Sequence, residues 1–449
     1  PMTNADWITR SQHAVWHPCT QMKRHESFPL LPIARAEGVW LTDFDGRRYL
    51  DAVSSWWVNL FGHGEPRIKA ALIDQLNTLD HVMLAGFTHA PVVALSERLA
   101  ALSGLGHAFY GSDGASAVEI ALKMSFHFWR NQGQPRKTRF LHLENSYHGE
   151  TLGALAVTDV AIFRDTYAPL LKGGMAVASP DARLAQVGET AAAPAKRAAH
   201  ALEATLAAHA DEIAALIVEP LVQGAAGMVM YDPCYLAEAR RLCDHYGVHL
   251  IADEIAVGFG RTGTLFAYQQ AAIRPDFVCL SKGITGGTLP LSCVLTTEAV
   301  YAAFYHDDLS RGFLHSHSYT GNPLACRAAL AVLDIFAEDN TLTQNRAKAA
   351  SFAPLFAPLQ AHPAVRAFRQ CGMIWAFEVD SPRGDFAQAF FRSMLAQGCL
   401  VRPIGKTVYF MPPYCIEAPE MAMLIAATLT VLAALSAETP DAAPEAAMA

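Results

Sequence analysis

What this sequence lacks narrows it before any motif is read. It has no C-x-x-C pair. Its nine cysteines are scattered singly between Cys19 and Cys415, an odd number without the spacing of a disulfide framework or a zinc site, and they read as reduced thiols of a cytoplasmic protein. It has no basic excess either: 34 Lys and Arg against 42 Asp and Glu leave a formal net charge of −8. That balance disfavours nucleic acid as a partner, because phosphate binding calls for clustered cations. The opening stretch "PMTNADWITRSQHAVWHP" has no uninterrupted apolar run of the kind a signal sequence carries, and no segment is expected to reach the roughly eighteen apolar residues of a membrane helix. No internal repeat is present. His315 and His317 lack the Cys or carboxylate that would complete a metal-ligand set, so no metal is expected. Their stretch, "FLHSHSYTGNPLACRAAL", reads instead as a hydroxyl-rich loop leading into a helix that starts near Asn322-Pro323.

What is present suits an enzyme acting on small molecules. The 449 residues are 52% hydrophobic and 17% charged, long enough for a large domain with a smaller companion. Residues 38–57, "GVWLTDFDGRRYLDAVSSWW", place two β-like runs around the turn pair Asp45-Gly46. Beyond them, helical patterns such as "PRIKAALIDQLNTL", "ASAVEIALKMSFHFWRNQG" and "CYLAEARRLCDHYG" alternate with short apolar runs, "HAFYGS", "TRFLHLEN", "IAALIVEP", "VHLIADE" and "DFVCLSK". The alternation predicts an α/β fold whose mainly parallel central sheet is flanked by helices. We expect a large domain over 61–329, joined by a smaller α+β domain built from both chain ends, 1–60 and 330–437; the Ala-rich stretch 181–200 reads as a surface loop and 438–449 as a disordered tail.

Polar residues stand where the apolar runs end, at Asp113, Glu219, Asp253 and Lys282, and open α/β sheets bind ligands at that edge. Asp253 closes a run too apolar to leave a carboxylate without a partner. Lys282 follows about one strand-loop-strand unit later, so both groups can reach one crevice. Two readings stand: a structural ion pair, or a cofactor held between them, with the amine on its aldehyde carbon and the carboxylate facing a pyridine nitrogen. Gly258, Gly260 and Gly263 have G-x-G-x-x-G spacing, yet the acidic residue that a dinucleotide site needs about twenty positions later is missing. Gly114 and Ala115 open a helix after a strand, where backbone N–H groups and the helix dipole favour a phosphate; an ordinary capped start, with Ser112 or Asp113 as the cap, is the alternative. Tyr147 and His148 beside Gly149 could stack on a planar cofactor or fill a gap. Trp56 and Trp57 wall a cavity or fill the core, and Arg402 is either a carboxylate clamp or a surface charge.

In the same order from residue 15 to about 420, these motifs resemble the class III aminotransferases of fold type I, which use pyridoxal 5′-phosphate. "VWHPCTQM", "AVSSWWVNLFGH", "HVMLAGFTHAP", "IADEIAVGFGRTG", "HSHSYTGNPLACRAAL" and "VRPIGKTVYFMPPY" are similar to the branch of that family that aminates 8-amino-7-oxononanoate in biotin synthesis. The resemblance implies that Lys282 attaches the cofactor, that Asp253 pairs with its ring nitrogen and that Tyr147 lies over the ring. It also implies that Gly114 and Ala115 hold the phosphate, that Glu219 and Ile255 lie beside the cofactor, and that Ser318 reaches the phosphate from the second subunit of a homodimer. Trp56, Arg261, Gly321 and Arg402 would line the substrate site. Cys19 stands where some members carry tyrosine in W-H-P-Y-T, and Ser318 where some carry threonine in G-P-T. S-adenosylmethionine is the implied amino donor, with lysine or another amine as the alternative that Cys19 keeps open.

Overall fold

Apolar runs become strands and 3.6-residue patterns become helices in the computed structural model of this chain, which describes residues 2–437. The tail expected to be disordered, 438–449, lies outside the described residues. Two compact units emerge among the described residues, one formed by the stretches up to Pro66 and from Ala347 onward and the other Arg67–Arg346.

In the smaller unit, β1 (Ile33–Glu37), β2 (Trp40–Asp43) and β3 (Arg48–Asp51) form an antiparallel meander. Its second turn falls at Asp45-Gly46, as the turn pair predicts. Asp43 Oδ1 accepts from the backbone N–H of Asp45 at 3.1 Å and of Arg47 at 2.8 Å, while Gly46 takes φ +88°, which favours glycine.

The larger unit carries β4 (His107–Gly111), β5 (Arg139–Leu143), β6 (Gly174–Val177), β7 (Ile213–Val218), a short ribbon of β8 (Val222–Gln223) and β9 (Val229–Met230), then β10 (His249–Asp253), β11 (Phe277–Leu280) and β12 (Ser292–Thr296). Seven of these make one sheet in the order β4-β12-β11-β10-β7-β5-β6, parallel except for β12, which runs against both neighbours. All six residues of β7 are buried, as expected of a strand covered on both faces. The helix Gly114–Asn131 packs Ile120, Ala121 and Met124 into a core shared with Ile217, Ile251, Phe277 and Val294. The smaller unit is completed by an antiparallel sheet of β13 (Val365–Cys371), β14 (Ile374–Val379) and β16 (Thr407–Phe410), while β15 (Cys399–Leu400) pairs in parallel with β3.

Three expectations change. The stretch 181–200 is not a loop throughout: a helix spans Ala192–His209, because alanine is the strongest helix former and Ala195, Ala198, Ala199, Leu202 and Leu206 fall on one buried face. Each of those leucines contributes about 1.5–3 kcal/mol by burial. The upper domain boundary lies at 346 rather than 329, since the helix Pro323–Glu338 packs along the helix Ala90–Ser103 and stays whole in the larger unit. A helix long and apolar enough to cross a membrane does occur, at Ala418–Ala437, with mean hydropathy 1.8 over its best window. It packs against the helix Phe386–Ala396 and buries Met421, Leu424, Ile425, Val431 and Leu432 within its own unit.

Candidate active site

Strand register in the larger unit brings the polar strand ends together. Ala252 of β10 pairs with Val218 of β7, so Asp253 and Glu219 end adjacent parallel strands side by side. Asp253 itself pairs with Cys279 of β11, three residues before Lys282. Lys282 departs from the strand with φ +48°, an uncommon conformation for a side chain with a Cβ, and such backbone strain gathers at functional positions. The turn is fixed by the Ser281 hydroxyl donating to Leu291 O at 2.7 Å and the Thr285 hydroxyl donating to Leu289 O at 2.6 Å. Burial pushes the Lys282 amine down to about 8, against the opposing pull of the Asp253 and Glu219 carboxylates.

Asp253 is buried and anchored from behind. His148 Nδ1 lies 2.6 Å from its Oδ2, and the Ile255 backbone N–H donates to its Oδ1 at 3.0 Å. A buried carboxylate with two such donors stays ordered and able to hold a further proton-bearing group. Glu219 takes another role: its two oxygens accept from the backbone N–H of Tyr147 at 2.9 Å and of Gly224 at 3.0 Å, and burial raises it to about 7. It thereby ties the 144–151 loop to the end of β7. Tyr147 donates its hydroxyl to Glu150 at 2.8 Å and meets Phe163 edge to face at 5.4 Å.

The helix Gly114–Asn131 begins at the same edge, capped by Asp113, whose carboxylate accepts from Ser116 N at 2.8 Å. Gly114 and Ala115 supply first-turn N–H groups that have no acceptor within the helix. Two close approaches weld this end to the rest. A Cβ on Gly114 would sit 3.1 Å from Ile255 Cγ2, and one on Gly149 only 2.7 Å from Ala115 Cβ. Gly114, Ala115, Tyr147, Glu219, Asp253, Ile255 and Lys282 therefore form one group.

The other expected residues lie elsewhere. Ser318 is exposed on its loop, its carbonyl accepting from His81 Nε2 at 3.0 Å. Gly321, with φ +63°, is buried, and its carbonyl accepts from His89 Nε2 at 2.8 Å. Arg261 is only 1% exposed, on the turn that follows β10. Gly258, Gly260 and Gly263 sit in that same succession of turns and open no helix, so the dinucleotide reading has no structural support. His315 and His317 bring their Nε2 atoms within 2.8 Å, with His315 Nδ1 2.9 Å from Lys123 Nζ.

In the smaller unit, Ser54, Ser55, Trp56 and Trp57 all have positive φ, 51°, 47°, 73° and 70°, and make one left-handed turn. Such a conformation costs an L-residue roughly 1–2 kcal/mol. The turn leaves Trp56 exposed with the Arg402 guanidinium 4.8 Å from its ring centre, and directs the Trp57 indole N–H to the Tyr409 hydroxyl at 3.1 Å. Sequence reasoning singled out Trp56 and Arg402 but gave no sign of this turn or of the bond of His148 to Asp253. The one signal for the latter was a histidine beside the aromatic Tyr147.

An amine depressed by burial, an anchored carboxylate on the neighbouring strand, an aromatic ring and an open helix start suit a phosphorylated pyridine aldehyde. His148 Nε2 is also buried without a hydrogen-bond partner among the described residues. Comparison with known proteins agrees. Residues 21–432 match the family model described as Aminotransferase class-III. The chain is 45% identical to the adenosylmethionine-8-amino-7-oxononanoate aminotransferase of Helicobacter pylori, over 93% of this chain and 95% of that protein. The crystal structure of the enzyme so named from Methanocaldococcus jannaschii aligns with a TM-score of 0.89 at 33% identity, covering 96% of this chain and 99% of that one. A PLP-bound amine transaminase from an uncultivated Pseudomonas species aligns with a TM-score of 0.88 at 32% identity, covering 94% and 99%.

Proposed function

Since this chain belongs to the class III aminotransferases, and is a pyridoxal-phosphate-dependent transaminase of fold type I, we propose that it aminates the 7-keto group of 8-amino-7-oxononanoate to give 7,8-diaminononanoate in biotin synthesis. S-adenosylmethionine is the amino donor in this reading, and the two substrates react in turn, in ping-pong order. The 45% identity to the Helicobacter pylori enzyme of that name supports the substrate pair. Nine cysteines without a disulfide support a reducing, cytoplasmic location. The net charge of −8 supports small-molecule partners over nucleic acid.

When bound, pyridoxal phosphate supplies an aldehyde that takes up an amino group and a ring that spreads the electrons left at the donor's Cα. Lys282 would be the residue that holds it and, as an amine brought down to about 8 by burial, the base that could move a proton at the donor's Cα. Asp253, held by His148 and Ile255, would be the carboxylate that pairs with the ring nitrogen. Tyr147 covers the ring, with its loop tied down by Glu219. The N–H groups of Gly114 and Ala115 take the phosphate, with Ser318 of a second subunit adding its hydroxyl in a homodimer. Arg261 and Arg402 are the residues offered for carboxylates, Trp56 offers an apolar wall, and Gly321 is a further substrate-site residue in this reading.

The adjacency of Lys282 and Asp253, set by strand register, carries the mechanistic reading. Cys19 leaves a second donor open, lysine or another ω-amine. Mixing the yellow holoenzyme with S-adenosylmethionine and with lysine in separate cuvettes tests the choice. The reading expects S-adenosylmethionine alone to bleach the visible band and 8-amino-7-oxononanoate to restore it; bleaching by lysine alone overturns the donor assignment.

A further inference from the structure

Arg402 faces Trp56, and Trp56 stands on a turn that no L-residue adopts readily. Backbone bonds from Trp57 N to Val53 O at 2.8 Å and from Val58 N to Ser54 O at 3.0 Å close that turn, and Asp51 holds its second residue, Ser55. The Asp51 side chain is fully buried. Its Oδ1 accepts the Ser55 backbone N–H at 3.0 Å, while its Oδ2 accepts the Ser55 hydroxyl at 2.7 Å and His63 Nε2 at 2.8 Å. His63 is itself pinned, exchanging backbone hydrogen bonds with Gly38 at 2.9 and 2.8 Å. A buried carboxylate needs such donors, and here two of the three come from one residue inside the left-handed turn. The turn's first residue is held separately, by the Ser54 hydroxyl donating to Met411 O at 2.6 Å.

Resting on the reading of Trp56 and Arg402 as substrate-binding residues, we propose that Asp51, braced by His63, is a positioning residue that fixes the left-handed turn and so sets the Trp56–Arg402 pair for the substrate carboxylate. Asp51 and His63 touch no substrate in this account. Their effect passes through Ser55 to the indole and from the indole to the guanidinium. The substitution Asp51→Asn keeps size but replaces one acceptor oxygen with an N–H₂ group that can accept neither from the Ser55 hydroxyl nor from His63.

The test is steady-state kinetics of the holoenzyme with 8-amino-7-oxononanoate, comparing parent, Asp51→Asn, Ser55→Ala, Arg402→Ala and the double variant Asp51→Asn with Arg402→Ala. Ser55→Ala removes one bond to Asp51 and gives the same reading should Asp51→Asn fold poorly. Expected is a KM about tenfold higher in Asp51→Asn and severalfold higher in Ser55→Ala, with kcat per bound cofactor within about twofold of the parent. The double variant should show a KM no higher than that of Arg402→Ala alone, because both changes break one chain of contacts. A kcat that falls while KM holds, or KM effects that multiply in the double variant, overturns the positioning role and leaves Arg402 its own. An unchanged KM in Arg402→Ala instead removes the carboxylate-binding reading, and the positioning role falls with it.

Discussion

His148 Nδ1 lies 2.6 Å from Asp253 Oδ2, both side chains buried at the end of β10. The bond decides what Asp253 can do. A carboxylate fixed by one donor ring and one backbone N–H is held from swinging away from a cofactor nitrogen. Asp253→Asn should therefore lower kcat on the order of 10²–10⁴-fold while cofactor affinity changes far less. Single-turnover rates beside a cofactor titration check this, and an unchanged rate contradicts it.

Replacing the ring behind that carboxylate should act through it. His148→Phe keeps the bulk and removes the bond, so kcat should fall by roughly tenfold, the equivalent of one charge-assisted hydrogen bond of about 1.5 kcal/mol. Combined with Asp253→Asn it should add little more. Fully multiplicative losses in the double variant would show that the two residues act apart.

A proton balance follows from Lys282. Burial brings its amine to about 8, so the neutral nucleophile dominates above that pH. Cofactor-free protein should take up pyridoxal phosphate faster as pH rises and level off past about 8, some two units earlier than an ordinary lysine. A rate that still climbs steadily toward pH 10 rules out the depressed amine.

Glu219 titrates in the opposite sense. Its folded value is raised from 4.5 to about 7, so it contributes stability that is complete below about 4.5 and is lost as pH rises through 7. Cofactor-free Glu219→Gln should lose that part of the decline in Tm between pH 5 and 8. An identical slope in both proteins would remove Glu219 from the account.

Gly149→Ala should weaken cofactor binding by about tenfold or more, because the new Cβ would meet Ala115 at 2.7 Å and φ is +120°. Equilibrium titration with pyridoxal phosphate reads this. Undiminished affinity would mean that the 144–151 loop and the helix start move independently.

Much of this site could be read in the sequence because its residues sit at boundaries the sequence marks. Asp253, Glu219 and Lys282 each follow an apolar run; strand register sets the first two side by side and brings the end of β11, from which Lys282 turns, next to Asp253. Gly114 announces its helix through Asp113 and the pattern after it. What escaped was long-range or conformational. His148 and Asp253 are 105 positions apart, and nothing local says that one will bond the other. The left-handed turn at Ser54–Trp57 escaped because serine and tryptophan do not signal positive φ, as glycine or asparagine would. The stretch 181–200 reads as a loop because alanine and small polar residues look featureless until the helix Ala192–His209 is seen to bury one face.

The most direct measurement is reduction of the purified holoenzyme with borohydride, followed by peptide mapping by mass spectrometry. The account predicts that the cofactor's mass is fixed on the peptide containing Lys282 and is lost from Lys282→Ala, which should still bind pyridoxal phosphate without turning over. A stable adduct on any other lysine in the native enzyme, or near-normal turnover by Lys282→Ala, would contradict it.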